Sequence, residues 1–364
     1  MRRLHAPSLD RQLTPSPPSF VGGEGEVTHC RESPELVLKI LHNAPDALYG
    51  CRIDHLGDHG LRIGRDRLAF PVSRLCDGPA GPVVGCVLPR VDGVGLGDVL
   101  NPRWRAGRGA DLTEAERVVL ALAYAENLAL AHDRNLVKSD GNLANELVTL
   151  DGSGNPTGLI SIDLDSYGHA SVRGPTGMIV DLPGTVGVED YSAPELLAGQ
   201  TAATLESDRF LAPLALFTIL TDEHATCGIL DAKSPNHDPA ERIRRGLFPA
   251  LRVNPRTGLS DKAAGGGVRP DAWPAAVRNL FFDALVTGHA RPTDRPKLAD
   301  WVAELERWRR RLVRPRLRKP AGLLKPLTVG AALGAGLGGV YLASRTATWP
   351  VSSGSAPIVW RSLR

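Results

Sequence analysis

The stretch Leu136-Val137-Lys138-Ser139-Asp140-Gly141-Asn142-Leu143-Ala144-Asn145 sets a carboxylate and a carboxamide five positions apart in a loop. At that spacing Asp140 can accept a hydroxyl proton while the oxygen of Asn145 holds a metal ion beside it. Further on, Ser161-Ile162-Asp163-Leu164-Asp165-Ser166 places Asp163 at the end of an apolar run. A carboxylate there is a hard ligand suited to Mg²⁺ that bridges phosphates. Near the front, Gly22, Gly23 and Gly25 lie in Phe20-Val21-Gly22-Gly23-Glu24-Gly25-Glu26-Val27, ahead of an apolar run bearing Lys39. Backbone amides of such a turn can lie over a phosphate chain that the lysine also meets. Each piece has a plainer alternative, since Asp140-Gly141-Asn142 is good turn chemistry and glycines before a lysine also describe a hairpin.

These groups need elements to position them. Residues 36–41 and 82–88 read as buried strands, the second ended by Pro89. Thr113-Glu114-Ala115-Glu116 is a capping box, and Val118, Leu122, Ala125, Ala129 and His132 then recur on one helical face leading into the Asp140 loop. Residues 147–150 and 159–162 flank Asp151-Gly152-Ser153-Gly154-Asn155-Pro156, a hairpin pattern that delivers Asp163. Helical periodicity follows at 208–220, 274–286 and 298–311, whereas 42–68 carries no clear period. Strands first and helices later indicate an α+β chain.

With 364 residues, 42% of them apolar, the chain can bury a large core, which excludes wholesale disorder. Five scattered cysteines without a Cys-x-x-Cys argue against a disulfide framework and a zinc ribbon, and fit a reducing compartment. From Arg307 onward there are 12 Lys plus Arg and no acid, which leaves residues 1–306 with 31 bases against 40 acids, a net of −9. An acidic body argues against a nucleic-acid-binding core, and the basic tail suits something anionic, such as phospholipid headgroups or RNA. Residues 1–19, with four prolines, read as a flexible leader. The uncharged segment 326–343 spans 18 residues, enough for a membrane helix, and nine Lys or Arg between Arg307 and Lys325 would keep the N-terminal body cytoplasmic. A Gly/Ala-rich helix packed on the body is the alternative.

In its order of Lys39, the Asp140–Asn145 loop, Asp163 and Ala193-Pro194-Glu195, the chain resembles the protein-kinase family. Glu206-Ser207-Asp208-Arg209-Phe210 looks like the start of that family's central C-lobe helix, and Arg295 like the arginine that pairs with Glu195. Asp-Leu-Asp-Ser together with Gly-Gly-Glu-Gly is most similar to a divergent bacterial Ser/Thr-kinase-like subgroup with an Asp-x-Asp-Ser metal motif. The resemblance implies a two-lobed fold, with a β-rich N-lobe over 20–92 and a helical C-lobe over 93–306. A basic linker (307–325), a possible transmembrane helix (326–343) and a short tail (344–364) would follow. It further implies ATP and Mg²⁺ as cofactors and a protein substrate. Lys39 would meet the α- and β-phosphates, Asp140 would be the catalytic base, and Asn145 and Asp163 would ligate Mg²⁺. Gly22, Gly23, Gly25 and Val27 would cover the nucleotide, 89–92 would form the hinge, and Glu195, Asp208 and Arg295 would be structural.

The departures are specific. Phe20 stands for the first loop glycine, Ser139 for the arginine before the base, Asn142 for the loop lysine, Asp165 for the metal-motif glycine and Val188 for the substrate-loop threonine. No Glu lies between Glu35 and Glu114, so the usual partner of Lys39 is missing, with Asp46, Asp54 or Asp58 as candidates to replace it. Without a partner the lysine would lose the preorganisation that phosphoryl transfer needs. The expected function is therefore an ATP-dependent, Ser/Thr-directed phosphotransferase tethered to the cytoplasmic face of a membrane, with a nucleotide- or partner-binding pseudokinase as the alternative. Hydroxyls of the segment after Asp163 (Ser166, Tyr167, Ser171, Thr176, Thr185, Ser192) could accept phosphate, but without the arginine at 139 such regulation should be weak. His55 and His59 are spaced four apart, as in a zinc helix, although Gly57 and the missing Glu argue against the metalloprotease version. His132 reads as packing at a helix end.

Overall fold

Antiparallel pairing dominates the first ninety residues. Strands β1 (Leu4–Ala6), β2 (Arg11–Leu13), β3 (Pro15–Val21), β4 (Gly25–Cys30) and β5 (Leu36–Leu41) come first, then helix α1 (Tyr49–Ile63), then β6 (Ser73–Cys76) and β7 (Val83–Pro89). The seven strands form one sheet in the order β2-β1-β6-β7-β5-β4-β3. In the computed structural model the described residues are 3–63, 66–173, 179–184, 187–227, 238–251 and 270–313, all of them in the unit Met1–Val313.

Strand β5 explains how this sheet carries chemistry. Side chains alternate across a strand, so Leu36 and Leu38 face the core shared with Leu4, Leu13 and Leu75, while Val37 and Leu41 turn to Tyr49 and Ile53 of α1. Lys39 lies between Val37 and Leu41 on this α1-facing side. Its register neighbours are Val27 on β4 and Cys86 on β7. Gly85 has to be glycine here, because a Cβ would stand 1.9 Å from the Lys39 carbonyl oxygen.

The rest of the described chain is mostly helical. Strand β8 (Val94–Gly95) and the short helices α2 (Leu96–Val99) and α3 (Pro102–Arg108) lead to α4 (Glu114–His132). The capping box of α4 forms as expected: Glu116 N–H donates to Thr113 Oγ1 at 3.2 Å and Thr113 N–H to Glu116 Oε2 at 2.7 Å. Then come β9 (Leu136–Val137), the hairpin β10 (Glu146–Leu150) and β11 (Pro156–Ser161), and the pair β12 (Gly168–Arg173) and β13 (Ile179–Leu182). Helices α5 (Pro194–Leu197), α6 (Leu205–Thr221), α7 (Pro239–Arg244), α8 (Ala275–Leu285) and α9 (Leu298–Val313) complete it. Their core joins α4, α6, α8 and α9, with Trp301 buried edge-on to Phe281 at 4.7 Å between ring centroids. A smaller cluster of Leu56, Phe70, Ala131 and Leu164 joins α1 to α4 and to the segment after β11. The chain is thus α+β, with a β-rich N-terminal region and a helical remainder.

Three expectations need correction. The leader is not loose: most of residues 4–19 is strand, and Leu4 and Leu13 are fully buried. Each such leucine contributes about 1.5–3 kcal/mol on burial, enough to order short strands despite the prolines. Residues 49–63, part of the stretch without a clear period, form α1, whose Tyr49, Ile53 and Leu56 are buried at helical spacing. The helical region does not stop at 306, because α9 runs to Val313, buries Trp308 and lets its indole N–H donate to Glu114 at 2.9 Å. The segments 314–325, 326–343 and 344–364 lie outside the described residues, among which no helix is long and apolar enough to cross a membrane.

Candidate functional site

Lys39 is buried and surrounded by acids. Its Nζ lies 2.5 Å from Asp163 Oδ1, 2.9 Å from Asp165 Oδ2 and 3.3 Å from Glu24 Oε2. Burial by itself would lower the lysine's pKa, but the Asp165 and Asp163 carboxylates outweigh it and hold the ammonium above its ordinary range. Tyr49, at the start of α1, donates its hydroxyl to Asp165 Oδ2 at 3.1 Å. The expected substitutes from α1 and its approach do not reach the lysine: Asp46 faces Arg52 at 3.6 Å and Asp54 faces Arg74 at 3.3 Å, while Asp58 is exposed. Beside Asp163, the buried counter-ion is Asp165, which stands where the resemblance expects a glycine, and sequence reasoning missed it.

Asp163 owes its position to the hairpin and to a strained backbone. Ile162 N–H donates to the Asn145 carbonyl at 2.8 Å, so the ends of β10 and β11 bring Asn145 next to the residue preceding Asp163. Asp163 itself is left-handed (φ 61°, ψ 34°), and the Ser166 hydroxyl secures the turn by donating to its carbonyl at 2.8 Å. Two carboxylates share one ammonium here. Burial first, and then the Asp165 charge, push the Asp163 carboxyl up to about 7.

The Asp140 loop is fixed from below. Asp208, fully buried at the start of α6, accepts the N–H groups of Lys138 (2.6 Å) and Ser139 (3.0 Å) and pairs with His132 Nε2 at 3.1 Å. His132 therefore does more than pack at a helix end. Lys138 is buried against Glu146 (2.9 Å) and the Tyr167 hydroxyl (3.2 Å), a pairing across eight positions that no motif in the sequence marks. Above this base, Asp140 Oδ1 accepts the Asn142 N–H at 3.0 Å and its Oδ2 accepts the Asn145 side-chain N–H at 3.0 Å. Asp140, Asn145, Asp163 and Lys39 thus form a chain of direct contacts and adjacent backbone positions. The turn chemistry of Asp140-Gly141-Asn142 is also present, and it serves to hold the carboxylate.

The glycine segment makes the β3–β4 turn, with Gly22 N–H donating to the Gly25 carbonyl at 2.8 Å. Gly22 and Gly23 are exposed, whereas Gly25 is buried against β5, where a Cβ would meet the Ile40 carbonyl oxygen at 2.4 Å. The need for glycine at 25 therefore comes from strand packing. Farther away, Arg295 grips Glu195 with two bonds of 2.6 and 2.8 Å and stacks on Phe210. Of the hydroxyls proposed as phosphate acceptors, Ser166 is committed to Asp163 and Tyr167 is buried, while Thr176 and Thr185 lie outside the described residues.

No protein-family model matches the chain. It is 24% identical over 306 residues to Protein kinase YegI of Escherichia coli O157:H7, covering 82% of this chain and 45% of that protein. It is 25% identical over 297 residues to Protein kinase YegI of Escherichia coli strain K12, with coverage of 80% and 44%. The chain spans about half the length of the curated relatives it matches. The likeness is distant, and it supports a kinase-like relationship.

Proposed function

We propose that this chain is a two-lobed, ATP-dependent phosphotransferase of the protein-kinase type, acting on protein hydroxyls. The observation that carries the reading is the Lys39–Asp163 contact across 124 positions, with Asp140 and Asn145 at the neighbouring hairpin end. Asp163 and Asn145 are hard oxygen donors of the kind Mg²⁺ takes. The Asn145 amide nitrogen is engaged by Asp140, which leaves its oxygen for a cation. Mg²⁺ would neutralise charge on the phosphates. Lys39 binds and orients the α- and β-phosphates, Gly22, Gly23 and Val27 cover the nucleotide, and Asp140 takes the proton of the attacking hydroxyl. Asp165 and Tyr49 position Lys39 in the role that a helix carboxylate would otherwise fill.

Transfer from γ-labelled ATP that disappears in Asp140→Ala and Asp163→Ala tests the proposal. Nucleotide binding without transfer, unchanged in Asp140→Ala, would replace it with a binding module. Tethering to the cytoplasmic face through 314–343 is part of the proposal, supported by the basic and uncharged runs there. Membrane fractionation of the full chain against a version ending at Val313 checks it.

A further inference from the structure

Helix α1 and strand β12 meet at three imidazoles. His55 and His59 lie one turn apart on α1, and His169 comes from β12, just past the Asp163–Ser166 turn. The ring centroids of His169 and His55 are 4.6 Å apart, and those of His55 and His59 are 4.7 Å apart. All three side chains can present a ring nitrogen within 4.8 Å of the others. We propose that His55, His59 and His169 form a binding site for a borderline divalent cation of the Zn²⁺ class, clamping α1 to the segment that follows the acid pair.

The geometry is close to what such an ion requires. Zn–N bonds of roughly 2.0–2.1 Å in a tetrahedron put neighbouring nitrogens about 3.3 Å apart. The Nε2 atoms of His55 and His59 are already 3.2 Å apart. Side-chain rotation of His169 closes the third edge, and three imidazoles leave the fourth position for water or an outside donor. Burial and the neighbouring His169 keep His55 neutral, with its pKa down at about 4, and His59 is lowered in the same way. A cation takes the neutral imidazole, and would here replace the His55–His59 hydrogen bond. Phe70 stacks on His59 and walls the cluster on one side. The α1 spacing alone was a weak signal, and the third ligand, 110 residues further along, is what completes the set.

The site joins the two elements that hold Lys39 indirectly, since α1 supplies Tyr49 and β12 continues from Asp165. Bound metal would thus stiffen the Tyr49–Asp165–Lys39 contact, a consequence that rests on the phosphotransfer reading while metal binding itself does not.

The test uses the full chain, stripped with a chelator and titrated with Co²⁺ and Zn²⁺. The expected result is one ion per chain, a visible Co²⁺ absorption band of tetrahedral intensity, and a melting temperature raised by Zn²⁺. Affinity should fall at least tenfold in His55→Ala and in His169→Ala. His59→Cys, which keeps a ligand, should retain binding and add a thiolate-to-cobalt charge-transfer band, so a variant that merely misfolds is recognised. No stoichiometric binding, or affinity unchanged in both alanine variants, overturns the proposal. Zn²⁺ bound at this cluster in a chain that transfers no phosphate would overturn only the functional reading.

Discussion

Asp165 is the buried counter-ion of Lys39, 2.9 Å from its ammonium, although the two residues are 126 positions apart and Asp165 belongs to the turn after β11. The carboxylate that holds this lysine comes from the turn after β11 and not from helix α1. Asp165→Asn keeps the shape and the Tyr49 contact but removes the charge, and should lower kcat for phosphotransfer by about 10²-fold, the scale of a small misplacement. Asp46→Asn and Asp54→Asn should leave activity within about twofold, as they face arginines. Radiolabel transfer by the three variants side by side decides the assignment.

If Asp163 ligates Mg²⁺ as proposed, cation binding will depend on pH. Its carboxyl, ordinarily at 3.8, sits at about 7 in the folded chain, so near neutrality a cation must displace a proton. Mg²⁺·nucleotide affinity should therefore weaken by up to about tenfold for each pH step below 7 and level off above it. For the ligand-free chain the raised value has the opposite sense for stability. The folded state holds a proton that the unfolded state releases, so this group's share of stability declines as pH rises from about 4 through 7. Calorimetric titrations at pH 6, 7 and 8 in two buffers of different ionisation enthalpy give both the affinity and the proton released.

Glu24, exposed at the β3–β4 turn, reaches Lys39 at 3.3 Å and would face the phosphates with a like charge. Glu24→Gln should tighten nucleotide binding by about two- to fivefold, the worth of an exposed ion pair, with the gain shrinking at high salt. Fluorescent-nucleotide titration in low and high salt measures it.

Gly187 lies against the proposed base: a Cβ there would stand 2.2 Å from Asp140 Oδ1 and 2.5 Å from its Cα. Gly187→Ala should cut transfer by about 10²-fold while nucleotide affinity stays within about twofold, because Lys39 and Asp163 are untouched.

The Glu195–Arg295 pair is structural. The Arg295 side chain is fully buried, and losing its partner leaves a charge without compensation. Glu195→Gln should cost about 3–5 kcal/mol, read as a lower denaturation midpoint at unchanged slope.

Much of this arrangement was legible in order along the chain. Asp140, Asn145 and Asp163 are bound to local patterns, a capped helix before them and a hairpin between them, and local patterns survive folding. What escaped was contact between distant residues that each look ordinary. Lys138 and Glu146 form a buried pair that no periodicity marks, and Asp165 appears in sequence only as the wrong residue for its slot. His169 is a lone imidazole until β12 brings it to α1. The strands before residue 20 were hidden by prolines, because Leu4, Ala6 and Leu13 are too few to register as a period yet sit in a core built by later strands. Helix α1 was obscured by Gly50, Gly57 and Gly60, which weaken helix propensity without changing the face that Tyr49, Ile53 and Leu56 bury.

One carboxylate, that of Asp208, gathers two backbone amides of the Asp140 loop and the imidazole ending α4, from its own place at the head of α6. Loosening of that loop and fraying of the α6 head are for this reason a single event. Amide exchange at Ser139 should follow the same opening free energy as the first turn of α6, well above that of a surface loop.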